Sequence, residues 1–161
     1  MVELKFFEPK DLSELDYELD DIQSQYSALP KQALERIEAR NQNEDFFAYP
    51  VTIFYYEKIA GFCVLDFGND KFEMTDNSSS VLLRALSVNP EFQGKGIGKS
   101  MMVILDDFVK DHDKDCNEIV LAVNENNHLA FQIYLKAEYV FNGKRINGRN
   151  GPQLVMSKSL D

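Results

Sequence analysis

The chain has few of the side chains that build metal centres and redox sites. Its 161 residues include two cysteines, two histidines and no tryptophan. Cys63 and Cys116 are far apart in the sequence, and neither His112 nor His128 lies in a cluster of ligand residues. Structural zinc sites, by contrast, collect cysteine and histidine ligands at short spacings. We therefore expect free thiols, no metal centre, and a solvated His112 within its charged run.

The chain also lacks a long apolar run. Hydrophobic residues make up 44% of the sequence, which is enough for a core, yet no run approaches the ~18 residues that span a bilayer. The first residues have neither the basic start nor the apolar stretch of a signal peptide. We expect a single domain over residues 1–161, no membrane association and a cytoplasmic location.

Basic residues are scarce in the first half of the chain. The formal net charge is -10, and residues 1–80 carry 17 acidic and 7 basic side chains, whereas residues 81–161 are balanced. A nucleic-acid partner is not expected, because its phosphate backbone requires a basic surface. Two interpretations of the acidic half stay open, a site for a cationic substrate and a solvated helix face. Five of the acidic residues lie within one predicted helix, namely Glu14, Asp16, Glu18, Asp20 and Asp21.

Glycine is sparse as well, but three of the eight glycines alternate in one loop. A strand-like apolar run ends at Pro90, Gly94, Gly96 and Gly98 follow, and a helical pattern begins at once. Such a sequence binds phosphate, because backbone N–H groups converge at the positive end of the helix dipole. A Walker A loop would need a glycine in place of Gln93, and a dinucleotide fingerprint has a different spacing. We expect a phosphorylated cofactor, and a nucleotide-binding P-loop is a poorly supported alternative.

Hydrophobic periodicity predicts helices and strands with no internal repeat. Helices are predicted over residues 11–26, from residue 30 to about residue 40, over 97–110, and from a cap at Asn126 or Asn127. Strands are predicted at residues 4–7, 46–56, 59–67, 81–88, 119–123, 139–142 and 154–157. The polar residues 68–80 are interpreted as a mobile loop, and residues 142–152 as a glycine-rich connection between the last two strands.

Three segments resemble the GNAT N-acetyltransferase superfamily. The run Gln93-Gly94-Lys95-Gly96-Ile97-Gly98 is similar to its coenzyme A loop, Gln-x-x-Gly-x-Gly/Ala, and Leu86-x-Val88-x-Pro90 is similar to its fourth strand. Downstream, Asn127, Ala130, Tyr134 and Lys136 match a family helix motif. The resemblance covers nearly the whole chain and implies an α/β (α+β) fold. Its mixed, largely antiparallel sheet would be flanked by helices, with the fourth and fifth strands splayed apart.

The resemblance implies acetyl-CoA as co-substrate and assigns roles to several residues. The loop from Gln93 to Gly98 and the following Lys99 would hold the pyrophosphate, and main-chain atoms of Leu86 and Val88 would hold the pantetheine arm. Asn127 and Tyr134 would also contact the cofactor. The catalytic groups would be the Val88 N–H, which stabilises the oxyanion, and Tyr134, the general acid for the leaving thiolate.

The chain departs from the family pattern at two places. Glu138 stands where the family usually has a glycine, so the chain path after Ala137 is expected to differ. The strand that precedes the loop has no carboxylate to act as general base, and Arg84 is always protonated. Arg84 could pair with an acidic substrate group or with a structural carboxylate. No base is assigned, although water linked to Glu44 or Asp45 could carry the proton.

The function expected from the resemblance is acetyl transfer to a primary amine by direct attack in a ternary complex. The acidic first half favours a polyamine or another small cationic amine as the acceptor, and a peptide N-terminus, a lysine or an aminoglycoside is compatible too. The alternative is an acetyl-CoA-binding regulatory protein with little catalysis, which the missing strand carboxylate weakly supports. By analogy with the family alone, a homodimer is also considered.

Overall fold

The computed structural model describes residues 1–21, 23–43 and 47–161. Ile22 and Phe46, which the sequence assigned to predicted elements, lie outside these ranges, as do Glu44 and Asp45. The strands are β1 Val2–Phe6, β2 Ala48–Tyr55, β3 Lys58–Asp66, β4 Ser80–Val88, β5 Glu118–Asn124, β6 Val140–Gly148 and β7 Gly151–Ser159. The α-helices are α1 Pro30–Arg40, α2 Ile97–His112 and α3 His128–Lys136.

The strands form one seven-stranded sheet in the order β1-β2-β3-β4-β5-β7-β6. Every neighbouring pair is antiparallel except β4 and β5. Helices cover both faces. Buried residues of α2 and partly buried residues of α3 pack in the larger core cluster, whereas Ala33 and Ile37 of α1 pack with Phe62 in a second cluster. The predicted mixed, largely antiparallel sheet with flanking helices is confirmed.

The parallel pair β4–β5 separates soon after it begins. Only Ser80, Val81 and Leu82 of β4 pair with β5, although β4 continues to Val88. Ala85 has φ +56, and the register between β3 and β4 shifts next to it. A bulge of this kind bends a strand and increases its twist. The far half of β4 therefore turns one edge towards an open cleft, which is the splay expected from the family resemblance.

The helix predicted over residues 11–26 was wrong. Two short 3₁₀ turns, Pro9–Asp11 and Gln23–Gln25, lie near the ends of this stretch, with no α-helix between them in the described residues. Carboxylates spaced three or four residues apart would repel one another on a helix, which lowers the stability of that alternative. Tertiary contacts favour the irregular path, because Leu15 is fully buried and the Tyr17 hydroxyl lies 2.7 Å from Ser87 Oγ.

Two segments interpreted as loops have more structure than expected. Most of residues 142–152 belongs to the β6–β7 hairpin, and Gly143 occupies a bulge with φ +90. Residues 68–80 include the 3₁₀ helix Asn69–Glu73. Lys71 is buried there, and its Nζ donates to three backbone carbonyls at 2.8–3.2 Å. These three bonds tie the segment to the start of β4, since a buried ammonium group must keep its hydrogen-bond partners.

The remaining features concern the cysteines, the histidines and the helices. Cys63 and Cys116 are both free and buried. His112 is exposed as expected, but its ring also packs against Phe6, Tyr49 and Phe67. The described residues contain no group of three side chains suited to a metal ion. None of the helices in the described ranges is both long and apolar enough to cross a membrane.

Candidate active site

A cavity of about 390 Å³ opens where β4 leaves β5. Its walls come from the glycine loop, the far half of β4, one face of α3 and residues near Gln23. Ten of the eleven residues predicted to form the site line it, namely Leu86, Val88, Gln93, Gly94, Gly96, Ile97, Gly98, Lys99, Asn127 and Tyr134. Lys95 is the exception, because it is exposed and does not line the cavity.

The glycine loop is shaped by backbone conformation at two of its glycines. Gly94 has φ +78 and Gly96 has φ +72, both in the left-handed region that side chains disfavour. Gly96 is also the N-cap of α2, and the buried Ile97 anchors the first turn of that helix in the core. The N-terminal end of a 16-residue helix therefore faces the cavity. This end carries partial positive charge and free N–H groups, which suit an anionic ligand.

Gly98 is a glycine that the fold of the chain itself does not require. It lies in the first turn of α2 with ordinary helical geometry, and a Cβ built on it would meet no atom within 4 Å. Neither backbone strain nor internal packing therefore requires glycine there, and glycine weakens a helix. A phosphate group approaching the backbone would explain the residue. The pyrophosphate of coenzyme A fits this position, with the Lys99 side chain available to add charge.

Tyr134 lies on α3 and lines the cavity with its partly buried side chain. None of the hydrogen bonds found among the described residues uses its hydroxyl, so the O–H can donate to a ligand. Burial raises the pKa of Tyr134 to about 12, which keeps the hydroxyl protonated at neutral pH. Burial likewise raises the pKa of Cys63 to about 12. The Cys63 thiol is therefore not ionised at neutral pH and is unsuited to act as a nucleophile.

Asn127 has a structural task in addition to lining the cavity. It is the N-cap of α3, and its Oδ1 accepts a hydrogen bond from the Ala130 N–H at 3.3 Å. Such a cap satisfies an N–H group that the first turn would otherwise leave without a partner. The choice between Asn126 and Asn127 as the cap is thus decided. Asn127 therefore stabilises the first turn of α3, the helix that carries Tyr134.

The chain after α3 follows the path usual for a helix that ends in glycine, although Glu138 stands at that position. Glu138 adopts φ +74, the left-handed conformation usual for glycine at the end of a helix. The Tyr139 N–H donates to the Tyr134 carbonyl, and the Glu138 N–H donates to the Leu135 carbonyl, both at 3.0 Å. These two bonds define a Schellman motif. The expectation of a different path was therefore wrong, since the side chain is accommodated at a conformational cost.

The free edge of β4 has partners that the sequence did not reveal. Val88 N–H donates to Gln23 Oε1 at 3.0 Å, and Gln23 Nε2 donates to the Val88 carbonyl at 2.9 Å. Ser27 Oγ donates to the Leu86 carbonyl at 3.0 Å. No sequence signal pointed to either residue, because Gln23 fell in the predicted helix 11–26 and Ser27 directly after it. The two side chains reach β4 only because that helix does not form.

A smaller space of about 80 Å³ continues between β4 and β5. Leu86, Asn127 and Tyr134 line both this space and the main cavity, while Arg84, Ala85 and Asn124 line both this space and a third, polar cavity. The polar cavity has a volume of about 380 Å³. The splay therefore joins a cavity that fits a cofactor to a second cavity on its far side. The small space has no carboxylate or imidazole in its described lining, so a general base is still not assigned.

Arginine side chains give the polar cavity its charge. Arg36, Arg84 and Arg149 line it. Arg84 pairs with Asp66 at 3.1 Å and with Asp70 at 2.9 Å. Hydrogen bonds from Arg40, and then those from Arg84, hold the pKa of Asp70 below its usual value. Of the two uses considered for Arg84, pairing with structural carboxylates is the observed one. Arg36 and Arg149 have no ion-pair partner within the described residues.

An acidic groove lies beside the main cavity. It has a volume of about 560 Å³, and Asp20 lines both the groove and the main cavity. Its other carboxylates belong to Glu14, Asp16, Glu18 and Glu91. Part of the acidic charge of the first half of the chain is thus concentrated in this groove. Four of its five carboxylates come from the irregular stretch that was predicted to be a helix.

Comparison with known proteins identifies the family to which the chain belongs. The sequence model of the acetyltransferase (GNAT) family matches residues 10–139, most of the chain. The chain belongs to the GNAT family. It is therefore an acetyl-CoA-dependent N-acetyltransferase, as the motifs had suggested. Acetyl-CoA as co-substrate agrees with the phosphate-binding geometry at α2.

Relatives of this acetyltransferase are similar over almost their full length. It is 31% identical over 161 residues to the uncharacterized N-acetyltransferase YbbJ of Bacillus subtilis (strain 168), which covers 99% of this chain and 98% of YbbJ. It is 28% identical over 147 residues to the spermine/spermidine N(1)-acetyltransferase of the same strain, which covers 91% and 90% of the two chains. The crystal structure of aminoglycoside acetyltransferase AAC(6')-Ib in complex with coenzyme A matches with a TM-score of 0.77 at 17% identity, covering 99% of this chain and 95% of that chain. This last likeness shows the fold alone.

Proposed function

We propose that this acetyltransferase moves the acetyl group directly from acetyl-CoA to a primary amine, with both substrates bound together. The observation that carries the proposal is the main cavity, which collects a helix N-terminus, the free edge of β4 and the Tyr134 hydroxyl. Acetyl-CoA supplies the acetyl group as a thioester. The loop from Gln93 to Lys99 binds its pyrophosphate, while backbone groups of Leu86 and Val88 hold the arm that leads to the sulfur.

Two groups of the chain act on the reacting atoms. The Val88 N–H donates to the thioester oxygen and stabilises the negative charge that develops there as the amine nitrogen bonds to the carbonyl carbon. When the carbon–sulfur bond breaks, the Tyr134 O–H donates to the leaving thiolate. The amine attacks as the neutral free base, and the proton that its nitrogen loses as the amide forms leaves through water and replaces the proton that Tyr134 gave to the thiolate. Holding the two substrates in one cleft supplies much of the rate enhancement.

The proposed acceptor is a polyamine or another small cationic amine. The acidic groove supports this, since its five carboxylates adjoin the main cavity at Asp20. A cleft with charge of one sign raises the local concentration of oppositely charged ligands. The named activity of the spermine/spermidine relative, at 28% identity, agrees with the same class.

A second acceptor class is favoured by the polar cavity. Arg36 and Arg149 line it, and it meets the splay on the side opposite the glycine loop. Arginine binds carboxylates and phosphates through paired hydrogen bonds. An amine that also carries an anionic group would bind that group between the two arginines. Its nitrogen would then lie in the gap between β4 and β5.

The test is thiol release from acetyl-CoA with a panel of amines. The panel contains spermine, spermidine, an aminoglycoside, peptides with free N-termini or lysines, and amines that carry a carboxylate. We expect turnover with the polyamines, and a higher KM for them in the variant Asp16→Asn/Glu18→Gln. Turnover restricted to the carboxylate-bearing amines, and reduced by Arg36→Gln or Arg149→Gln, would favour the second class instead.

A silent panel would have a definite meaning as well. If the protein binds acetyl-CoA and leaves it intact with every amine, either the acceptor lies outside these classes or the protein is a binding protein that has lost the reaction. The homodimer and the cytoplasmic location stay predictions, and size-exclusion chromatography with light scattering would test the first of them.

A further inference from the structure

Three hydrogen bonds attach residues 23–27, here called the strap, to the free edge of β4. Gln23 makes two of them with the N–H and the carbonyl of Val88, and Ser27 makes the third with the carbonyl of Leu86. In a continuous sheet these backbone groups would pair with the next strand. Because β5 has diverged at this level, the strap supplies the missing partners.

The strap is also held on the opposite side of the cleft. Asn150, in the turn between β6 and β7, donates its Nδ2 hydrogen bond to the Gln25 carbonyl. Tyr26 and Ser27 line the main cavity, the small space in the splay and the polar cavity. The strap therefore crosses the open end of the cleft from β4 to the β6–β7 turn.

The strap uses the backbone groups that the proposed function assigns to the cofactor. The Val88 N–H has a single hydrogen, which points at Gln23 Oε1. It cannot also donate with good geometry to the thioester oxygen. The Gln23 side chain is a carboxamide with one donor and one acceptor directed at Val88, the same pattern that an amide of the pantetheine arm presents.

We propose that the strap is a built-in competitor of acetyl-CoA, with Gln23 imitating a pantetheine amide. This inference rests on the proposed function. Cofactor binding exchanges the bonds of Gln23 and Ser27 for bonds from the pantetheine arm. The measured affinity for coenzyme A is then the intrinsic affinity multiplied by the fraction of molecules whose strap is released. Weakening the strap raises that fraction, so it tightens cofactor binding.

Isothermal titration calorimetry with coenzyme A tests the competition. Removing the two bonds of Gln23 in Gln23→Ala is expected to lower the Kd by about three- to tenfold. Ser27→Ala removes one bond, and we expect a smaller change in the same direction. Gln42→Ala is the matched control, because Gln42 is exposed after α1 and lines none of the cavities. Its Kd should equal that of the wild type.

Hydrogen exchange at the Val88 amide gives a readout specific to the strap. Without ligand, the amide should exchange faster in Gln23→Ala than in the wild type, and acetyl-CoA, whose thioester oxygen accepts from this N–H, should restore protection in both. An unchanged or higher Kd in both Gln23→Ala and Ser27→Ala, with coenzyme A still binding to the wild type, overturns the competition alone. Loss of coenzyme A binding in the wild type and all variants would overturn the proposed function together with it.

Discussion

At the residue scale, the Tyr134 hydroxyl is the most sharply testable group. Tyr134→Phe is expected to lower kcat by about 10²- to 10⁴-fold, the range typical of a lost general acid. The Kd for coenzyme A should stay within about threefold, because the ring remains and only one hydrogen bond is lost. Stopped-flow or steady-state thiol release measures the first quantity and calorimetry the second.

The pH dependence of Tyr134 follows from its buried position. Burial raises its pKa to about 12, so the hydroxyl keeps its proton well above the pH at which an exposed tyrosine loses it. The rate should therefore show no decline due to this residue up to about pH 10.

Tyr26→Phe is the matched control for Tyr134→Phe, since Tyr26 lines the same cavities. A loss of rate in that variant alone would move the acid role to Tyr26.

Gly98 separates stability from binding at a single position. Gly98→Ala should stabilise the protein by up to about 1 kcal/mol, since alanine favours a helix and the new methyl group meets no atom of the chain. The same methyl group should weaken coenzyme A binding by about tenfold or more, because it keeps phosphate away from the backbone. Ser100→Ala is the control, in the same turn but outside the cavity lining. An unchanged affinity of Gly98→Ala for coenzyme A would mean that phosphate does not bind at this position.

At the scale of elements, the end of α3 has an unfavourable backbone conformation. Glu138 is left-handed without being a glycine, so Glu138→Gly should raise the free energy of unfolding by about 0.5–1 kcal/mol. The lost ion pair with Lys158 is 3.8 Å long and exposed on the glutamate side, and such pairs contribute little. Urea denaturation measures the change, and Glu138→Gln, which keeps the Cβ, should stay near the wild type. A less stable Glu138→Gly would mean that the side chain itself stabilises the turn.

The elements also show where periodicity succeeds and where it misleads. Helix α2 was predicted well because Ile97, Met101, Leu105 and Val109 repeat at helical spacing and are all buried. The stretch 11–26 had a similar apolar spacing, yet in its described part Leu12 is exposed and Leu15 is the one apolar residue that is fully buried. Its carboxylates and its contacts with Ser87 and β4 outweighed a periodicity that supplies only a modest preference.

At the scale of the whole molecule, the uneven charge predicts a salt effect. If a polyamine is the acceptor, its KM should rise severalfold between about 20 mM and 200 mM NaCl, because screening weakens attraction by the acidic half. A small uncharged or singly charged amine is the control and should show a weaker effect. A KM for spermine that does not depend on salt would count against the acidic groove as an acceptor site.

The sequence by itself determined the family, the cofactor class and most of the sheet. The alternate glycines, the strand before them and the helix after them are local features, and local chemistry was enough to predict a phosphate site there. Ten of the predicted site residues line one cavity. They could be predicted because the loop, β4 and α3 each contain a recognisable sequence motif.

Only the tertiary structure decided what surrounds those residues. The bulge at Ala85 opens β4, and the opened edge then takes Gln23 and Ser27 as partners from a distant part of the chain. Neither contact has a sequence signature, because unpaired backbone groups attract any suitable donor or acceptor that the fold brings within reach. The strap and the two oppositely charged cavities follow from long-range proximity, which residue spacing does not encode.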